Sequence, residues 1–158
     1  MYKNDRYCEV PFSDIETQLL NGYIYTENEA IKQAKKLNEA KIPFNSIIVY
    51  GIAGKGESVD NAVATAKMIN QFITNKVITM NLTVFAGTEL NNMVKRGAFI
   101  PPYGNERVVE IKRLLKNLEP KKPMIFDTTH PTNIINIKGT LPQDKERLID
   151  EIIKVCNK

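Results

Sequence analysis

The segment Ser46-Ile47-Ile48-Val49-Tyr50-Gly51-Ile52-Ala53-Gly54-Lys55-Gly56-Glu57-Ser58 carries three structural signals in succession. Its first five residues form an apolar, β-branched run of strand length. The glycines then mark a turn, and Ser58 is a residue type that caps helices. Over residues 59–72 apolar side chains recur at Val59, Ala62, Val63, Ala66 and Ile69, the spacing of a single buried helix face. Strand, glycine loop and helix in that order form the repeating unit of a parallel α/β sheet.

The same grammar extends in both directions. Upstream, Thr26-Glu27-Asn28-Glu29 is a capping box, and Ala30, Ile31, Ala34 and Leu37 place an apolar stripe on a helix that stops before Pro43. Downstream, residues 77–85 alternate: Ile78, Met80, Leu82 and Val84 point one way, Thr79, Asn81 and Thr83 the other. The apolar set is expected to pack on the helices. Ala86-Gly87-Thr88 then turns into a helix bearing Leu90, Met93 and Val94, closed by Lys95-Arg96-Gly97. After Pro101 and Pro102, Asn105 is expected to cap a helix carrying Val108, Ile111, Leu114, Leu115 and Leu118, ended by Pro120 and Pro123. Strands are expected over 124–126 and 134–137, followed by an amphipathic helix with Leu148, Ile149, Ile152 and Val155. Residues 1–12 read as an N-terminal arm and 14–20 as a short helix, so 13–158 form one α/β domain with a parallel sheet and right-handed crossovers.

Composition bounds the function. With 158 residues, 42% hydrophobic and 25% charged, the chain matches one globular domain with a core of its own, and disorder is excluded. No apolar run approaches the ~20 residues of a membrane span, and the first ten residues lack a secretory signal, so a cytoplasmic protein without a membrane partner is expected. Cys8 and Cys156 stand at opposite ends of the chain and form no zinc, haem or disulfide pattern. The net charge of +4 is spread along the chain, and no basic stripe interleaves with aromatics, which leaves nucleic-acid binding unsupported.

In parallel α/β folds ligands gather at the carboxyl ends of the strands. That rule selects the 51–57 loop, where Gly51, Ile52, Ala53 and Gly54 would let a ligand approach the backbone, or where the glycines simply serve the turn. It is no P-loop, because Glu57 stands where lysine is required, and no dinucleotide fingerprint, because Val59 replaces the third glycine. The second candidate is the polar face holding Asn81 and Thr83. Two dry, unpartnered side chains would cost about 2–6 kcal/mol, so this face needs partners, a ligand or water, unless the strand lies at an edge with one solvated face. His130, the sole histidine, is chemically suited to acid–base work and equally to a plain loop position. The run Asp144-Lys145-Glu146-Arg147 reads as a solvated helix face.

Together these residues resemble a known family. Ile47-Ile48-Val49-Tyr50-Gly51-Ile52-Ala53-Gly54 with Glu57 resembles the fifth-strand adenine-binding segment of radical SAM enzymes, loosely G-x-I-x-G-x-x-E. Leu82-Thr83-Val84-Phe85-Ala86-Gly87-Thr88-Glu89-Leu90 resembles the sixth-strand P-G-T-P-L ending, with Ala86 and Glu89 in place of the prolines, and Lys95-Arg96-Gly97-Ala98-Phe99 continues the likeness. His130-Pro131-Thr132-Asn133 and Gly139-Thr140-Leu141-Pro142-Gln143-Asp144-Lys145 look like the closing segment of one subgroup of these Fe-S oxidoreductases. The resemblance implies a partial TIM-barrel-like sheet, the C-terminal portion of a radical SAM core. S-adenosylmethionine is then the implied cofactor, with Gly51, Ile52, Ala53 and Gly54 on its adenine side and Asn81 and Thr83 on the barrel floor. The family holds a four-iron four-sulfur cluster with three closely spaced cysteines, and this chain has no such trio. The cluster is therefore expected in an N-terminal half that is not in this sequence, with no catalytic or metal-binding residue here. A half barrel exposes strand edges, so self-association, pairing with the N-terminal half, or cover by residues 1–12 is expected. The alternative is a non-catalytic radical-SAM-like binding or assembly module.

Overall fold

A computed structural model describes residues 26–156. The arm expected over 1–12 and the helix over 14–20 lie outside the described residues. The chain runs through α1 (Glu27–Glu39), β1 (Asn45–Tyr50), α2 (Ser58–Ile69), β2 (Lys76–Asn81), α3 (Glu89–Lys95), α4 (Asn105–Asn117), β3 (Met124–Asp127), β4 (Lys138–Leu141) and α5 (Lys145–Cys156). The capping box forms as read: Thr26 Oγ1 accepts from the Glu29 N–H at 3.3 Å, and the Thr26 N–H donates to Glu29 Oε2 at 2.9 Å. Ile31 and Ala34 bury the stripe of α1, while Leu37 stays exposed.

The four strands form one open sheet in the order β1-β2-β3-β4. The pairs β1–β2 and β2–β3 are parallel, and β4 returns antiparallel to β3. The architecture is mixed α/β with a mostly parallel sheet. The strand expected over 134–137 is displaced to Lys138–Leu141 and reverses direction, which corrects the all-parallel reading. Ile135 and Ile137 are still buried, but they cover the core from a loop held by the Thr128 hydroxyl, which donates to the Ile135 carbonyl at 2.6 Å and accepts from the Ile137 N–H at 2.8 Å.

A second correction concerns β2. The strand ends at Asn81 instead of continuing to Phe85, and its core-facing set is Val77 and Thr79, both fully buried, while Ile78 and Met80 are half-buried on the opposite face. Register explains the inversion. Tyr50 packs at 1% exposure in the core, and its parallel partner is Asn81; Ile48 pairs with Thr79 and Ser46 with Val77. Partners across a ladder share a face, so once Tyr50 turns inward the threonine and asparagine follow. The side chains of α1, α2, α4 and α5 meet those of the sheet in a single cluster that includes Ala66, Ile111, Leu114, Leu115, Phe126 and Leu148. The other face carries Ile47, exposed at 40%, with half-buried Val49, Ile78, Met80 and Ile125.

Two expected caps also shift by one residue. Glu57, not Ser58, is the N-cap of α2, and Gly104, not Asn105, is that of α4; neither makes a side-chain capping bond.

On the exposed face, Asp127 binds β3 to both neighbours through ion pairs to Lys138 at 3.1 Å and Lys76 at 3.7 Å. Burial pushes its carboxyl up, but hydrogen bonds from the Thr129 hydroxyl and N–H, together with the Lys138 ammonium, outweigh that effect and bring it from 3.8 down to about 2. A carboxyl lowered by folding contributes stability that is complete above its unfolded value and lost as pH falls through the folded one. Thermal unfolding of wild type and Asp127→Asn should differ above pH 4 and converge near pH 2; curves that stay parallel through that window would contradict the assignment.

Candidate functional site

The turns that leave β1 and β2 lie side by side at one rim. Asn81 pairs with Tyr50, and the Leu82 N–H extends the ladder by donating to the Tyr50 carbonyl at 3.0 Å. Gly51 and Gly54, both buried, hold φ of +86° and +88°, a region that side chains other than glycine rarely adopt. Space is tight for a side chain as well: a Cβ on Gly51 would meet Pro102 Cγ at 3.3 Å, and one on Gly54 would meet Phe99 Cε2 at 3.3 Å. Ile52 and Ala53 between them are half-buried.

Helix α4 holds this loop from behind. Glu110, 2% exposed, accepts from the Gly51 N–H at 3.0 Å through Oε2 and from the Asn61 amide at 2.9 Å through Oε1. One turn earlier, Glu106 Oε1 accepts from the Gly56 N–H at 2.6 Å and the Ser58 hydroxyl at 3.1 Å. Burial pushes the Glu110 carboxyl up, opposed by its hydrogen bonds to Asn61 and Gly51. The Lys55 N–H completes the frame by donating to the Ile100 carbonyl at 2.8 Å. Sequence reading passed over both glutamates. Their signal was present: Glu106 and Glu110 stand four apart, and Glu110 precedes Leu114 by four, so an acid sits on the apolar stripe.

The 128–137 segment covers the end of β2. The Asn133 amide donates to the carbonyls of Thr79 and Thr128, each at 2.7 Å, and the Asn81 N–H donates to Thr132 Oγ1 at 3.2 Å. Thr132 also engages His130: its N–H donates to Nδ1 at 3.3 Å and its hydroxyl lies 2.8 Å from the same nitrogen.

The predicted residues therefore separate. Gly51, Ile52, Ala53, Gly54 and Asn81 share the rim. Thr83 does not: it lies beyond the strand, exposed, with its hydroxyl donating to the Asn81 carbonyl at 3.4 Å. The strand ends early because the segment after Asn81 has no ladder partner beyond Tyr50, which is itself the last residue of β1. Asn81 faces the helix side with Tyr50 and Thr79, the reverse of the expected floor position.

That side gathers polar atoms without partners among the described residues: the Tyr50 hydroxyl, Thr79 Oγ1, Asn81 Oδ1 and Asn133 Oδ1. The Tyr50 hydroxyl approaches the Ile134 backbone without reaching hydrogen-bonding geometry, and burial pushes its phenol up to about 12. Two shallow grooves lie elsewhere, one along α1 with Lys32, Lys35 and Lys36, the other beside Phe44 and Asn75 at the amino ends of β1 and β2. Among the described residues no group of three or more His, Cys, Asp or Glu side chains is arranged to hold a metal ion. Comparisons with protein-family models, with curated proteins and with solved structures find no match to this chain.

The Gly51 and Gly56 N–H groups and the Ser58 hydroxyl are spent on carboxylates, residues 51–53 form a hydrogen-bonded turn, and the Gly54 carbonyl accepts from the Glu57 N–H at 3.4 Å.

Thr79 offers a sign test of the buried oxygens. A buried hydroxyl without a partner costs about 1–3 kcal/mol, so removing it should help. Thr79→Val is expected to stabilise the fold by about 1 kcal/mol in urea unfolding; destabilisation would reveal a partner at that hydroxyl.

Proposed function

We propose that this chain is the C-terminal part, or a split partner, of a radical SAM Fe-S oxidoreductase, and that it supplies the adenine-side wall for S-adenosylmethionine. The observation that carries the reading is the glycine turn at 51–54, which stands at the carboxyl end of a parallel strand with its flanking Gly51 and Gly56 N–H groups held by Glu110 and Glu106. Adenine presents alternating donors and acceptors along one edge, which such a backbone segment pairs without charge. Glu57, exposed at the N-cap of α2 without contributing a side-chain cap, keeps the motif's spacing from Ile52 and Gly54, while Tyr50 stands in place of the motif's first glycine.

The rest of the reading comes from the resemblance in the sequence. Two parallel βα turns on one rim, backed by helices on one face, are the arrangement a partial barrel requires. The iron–sulfur cluster does not fit this chain. Clusters of that kind take cysteine thiolates, and Cys8 and Cys156 supply at most two. No electron-transfer step is assigned to these residues; their work is to bind and orient the adenosine moiety.

A half site binds weakly, with affinity near 1 mM corresponding to about −4 kcal/mol. Titration of ¹⁵N-labelled protein with S-adenosylhomocysteine should shift the amides of Ile52, Ala53 and Gly54 before any others. Shifts confined to the α1 groove, or none at millimolar ligand, would refute the proposal.

A further inference from the structure

We infer that the amino ends of the strands form a docking face for an acidic, partly apolar polypeptide segment, with Lys35 and Lys41 among its charge anchors. The face lies at the opposite end of the sheet from the 51–54 turn and does not depend on what that turn binds.

The chain's net charge of +4 is spread in sequence, but the fold gathers it. Two grooves adjoin where α1 meets the segment between α2 and β2, one lined by Lys32, Lys35 and Lys36 and the other by Lys41 and Lys122. Glu39 is the one carboxylate in either lining, so five lysines face one acid, an excess equal to that of the whole chain. All five are exposed, and none forms an ion pair with a described carboxylate. Lys121 adds a further cation, its ammonium donating to the Gln71 carbonyl at 2.9 Å beside the first groove. The turn at the other end carries Glu57, Glu106 and Glu110 against Lys55 and Arg107, so positive charge is concentrated at one end of the strands.

Lys41 is placed there against its own backbone preference. Helix α1 ends in a Schellman motif, in which the Ile42 N–H donates to the Leu37 carbonyl at 2.9 Å and the Lys41 N–H to the Asn38 carbonyl at 3.0 Å. The motif sets Lys41 at φ +57°, the left-handed position that glycine usually fills, and no other non-glycine among the described residues has a positive φ. Local stability alone would select glycine. A lysine there adds its charge to the groove at a cost to the fold.

The same turn decides the partner's class. It leaves Leu37 36% and Ile42 51% exposed, with Phe44 half-buried next to them, so apolar surface lies beside the lysines. A nucleic-acid backbone gains nothing from those side chains, and the linings hold no arginine and no exposed aromatic on which bases could stack. A two-fold pairing with a second copy would set lysines against lysines. Acidic residues interspersed with apolar ones match both halves of the surface. The face is preformed as well, because the Asn38 amide donates to the Ile73 carbonyl at 2.7 Å while its Oδ1 accepts from the Ile73 N–H at 2.7 Å, which clamps α1 to the segment after α2.

Fluorescence anisotropy of a labelled peptide of repeating Glu-Glu-Leu, with the full chain as receptor, tests this. Wild type should bind it more tightly than a repeating Glu-Glu-Ser peptide or a thymidine oligonucleotide, and added salt should weaken the complex. Lys35→Gln and Lys41→Gly should each weaken it by about threefold, while Lys41→Gly raises the urea midpoint. A lysine with only a structural role would not give opposite signs in stability and affinity. Absence of binding, affinity unchanged in both variants, or equal binding of the serine peptide would overturn the inference, and tighter binding of the oligonucleotide would overturn it in favour of a nucleic acid. A spin label on Cys8, in Cys156→Ser protein without peptide, should leave the Lys35 and Lys41 amides sharp; their broadening would show that the chain's own amino-terminal residues fill the groove, and would overturn it too.

Discussion

The hydrogen bond from the Gly51 N–H to the buried Glu110 carboxylate is the constraint on which the strand-end rim depends. It joins three elements at one atom pair: the end of β1, the face of α4 that covers it, and, through the Asn61 amide on the same carboxylate, the first turn of α2. A buried charge is tolerated only where donors surround it, and removing one partner leaves a penalty larger than the bond's net worth. The loop therefore cannot relax independently of α4. Its left-handed glycines and its closeness to Phe99 and Pro102 belong to a turn held at both ends.

The sheet adds the second constraint. Tyr50 is the last residue of β1 and packs inward, so the parallel register commits Asn81 and Thr79 to the same side. Polar atoms then stand behind the rim, while Ile47, Val49, Ile78 and Met80 line the exposed face. A one-residue change of register would reverse both faces at once. The Asp127 ion pairs fix β3 between Lys76 and Lys138, and the Asn133 amide fixes the 128–137 segment to the end of β2, so the rim is bounded by pairings made far apart in sequence.

What was legible in the sequence was what local chemistry determines. The Thr26–Glu29 box, the glycines at 51 and 54 and the stripe of α4 each announce themselves within a few residues. The facing of β2 was not legible, because alternation defines two faces without saying which one the helices cover; the bulk of Tyr50, on a different strand, decides it. Strand β4 was hidden for a similar reason. Lys138-Gly139-Thr140-Leu141 has little strand character alone, and it pairs because β3 presents an edge and Asp127 presents a charge to Lys138. Gly139 even has a packing reason for its lack of a side chain, since a Cβ there would lie 2.8 Å from Asp144 and Arg147. Glu110 was overlooked for the opposite reason: its position on an apolar stripe was visible, but its partner lies fifty-nine residues away.

Native-state hydrogen exchange at the Gly51 amide tests the central claim most directly. Held by a buried carboxylate, this loop amide should exchange as slowly as the Val77 amide in the interior of β2. Exchange at the rate of an open peptide, with Val77 still protected, would show that Glu110 does not hold the turn and would remove the basis for the rim described here.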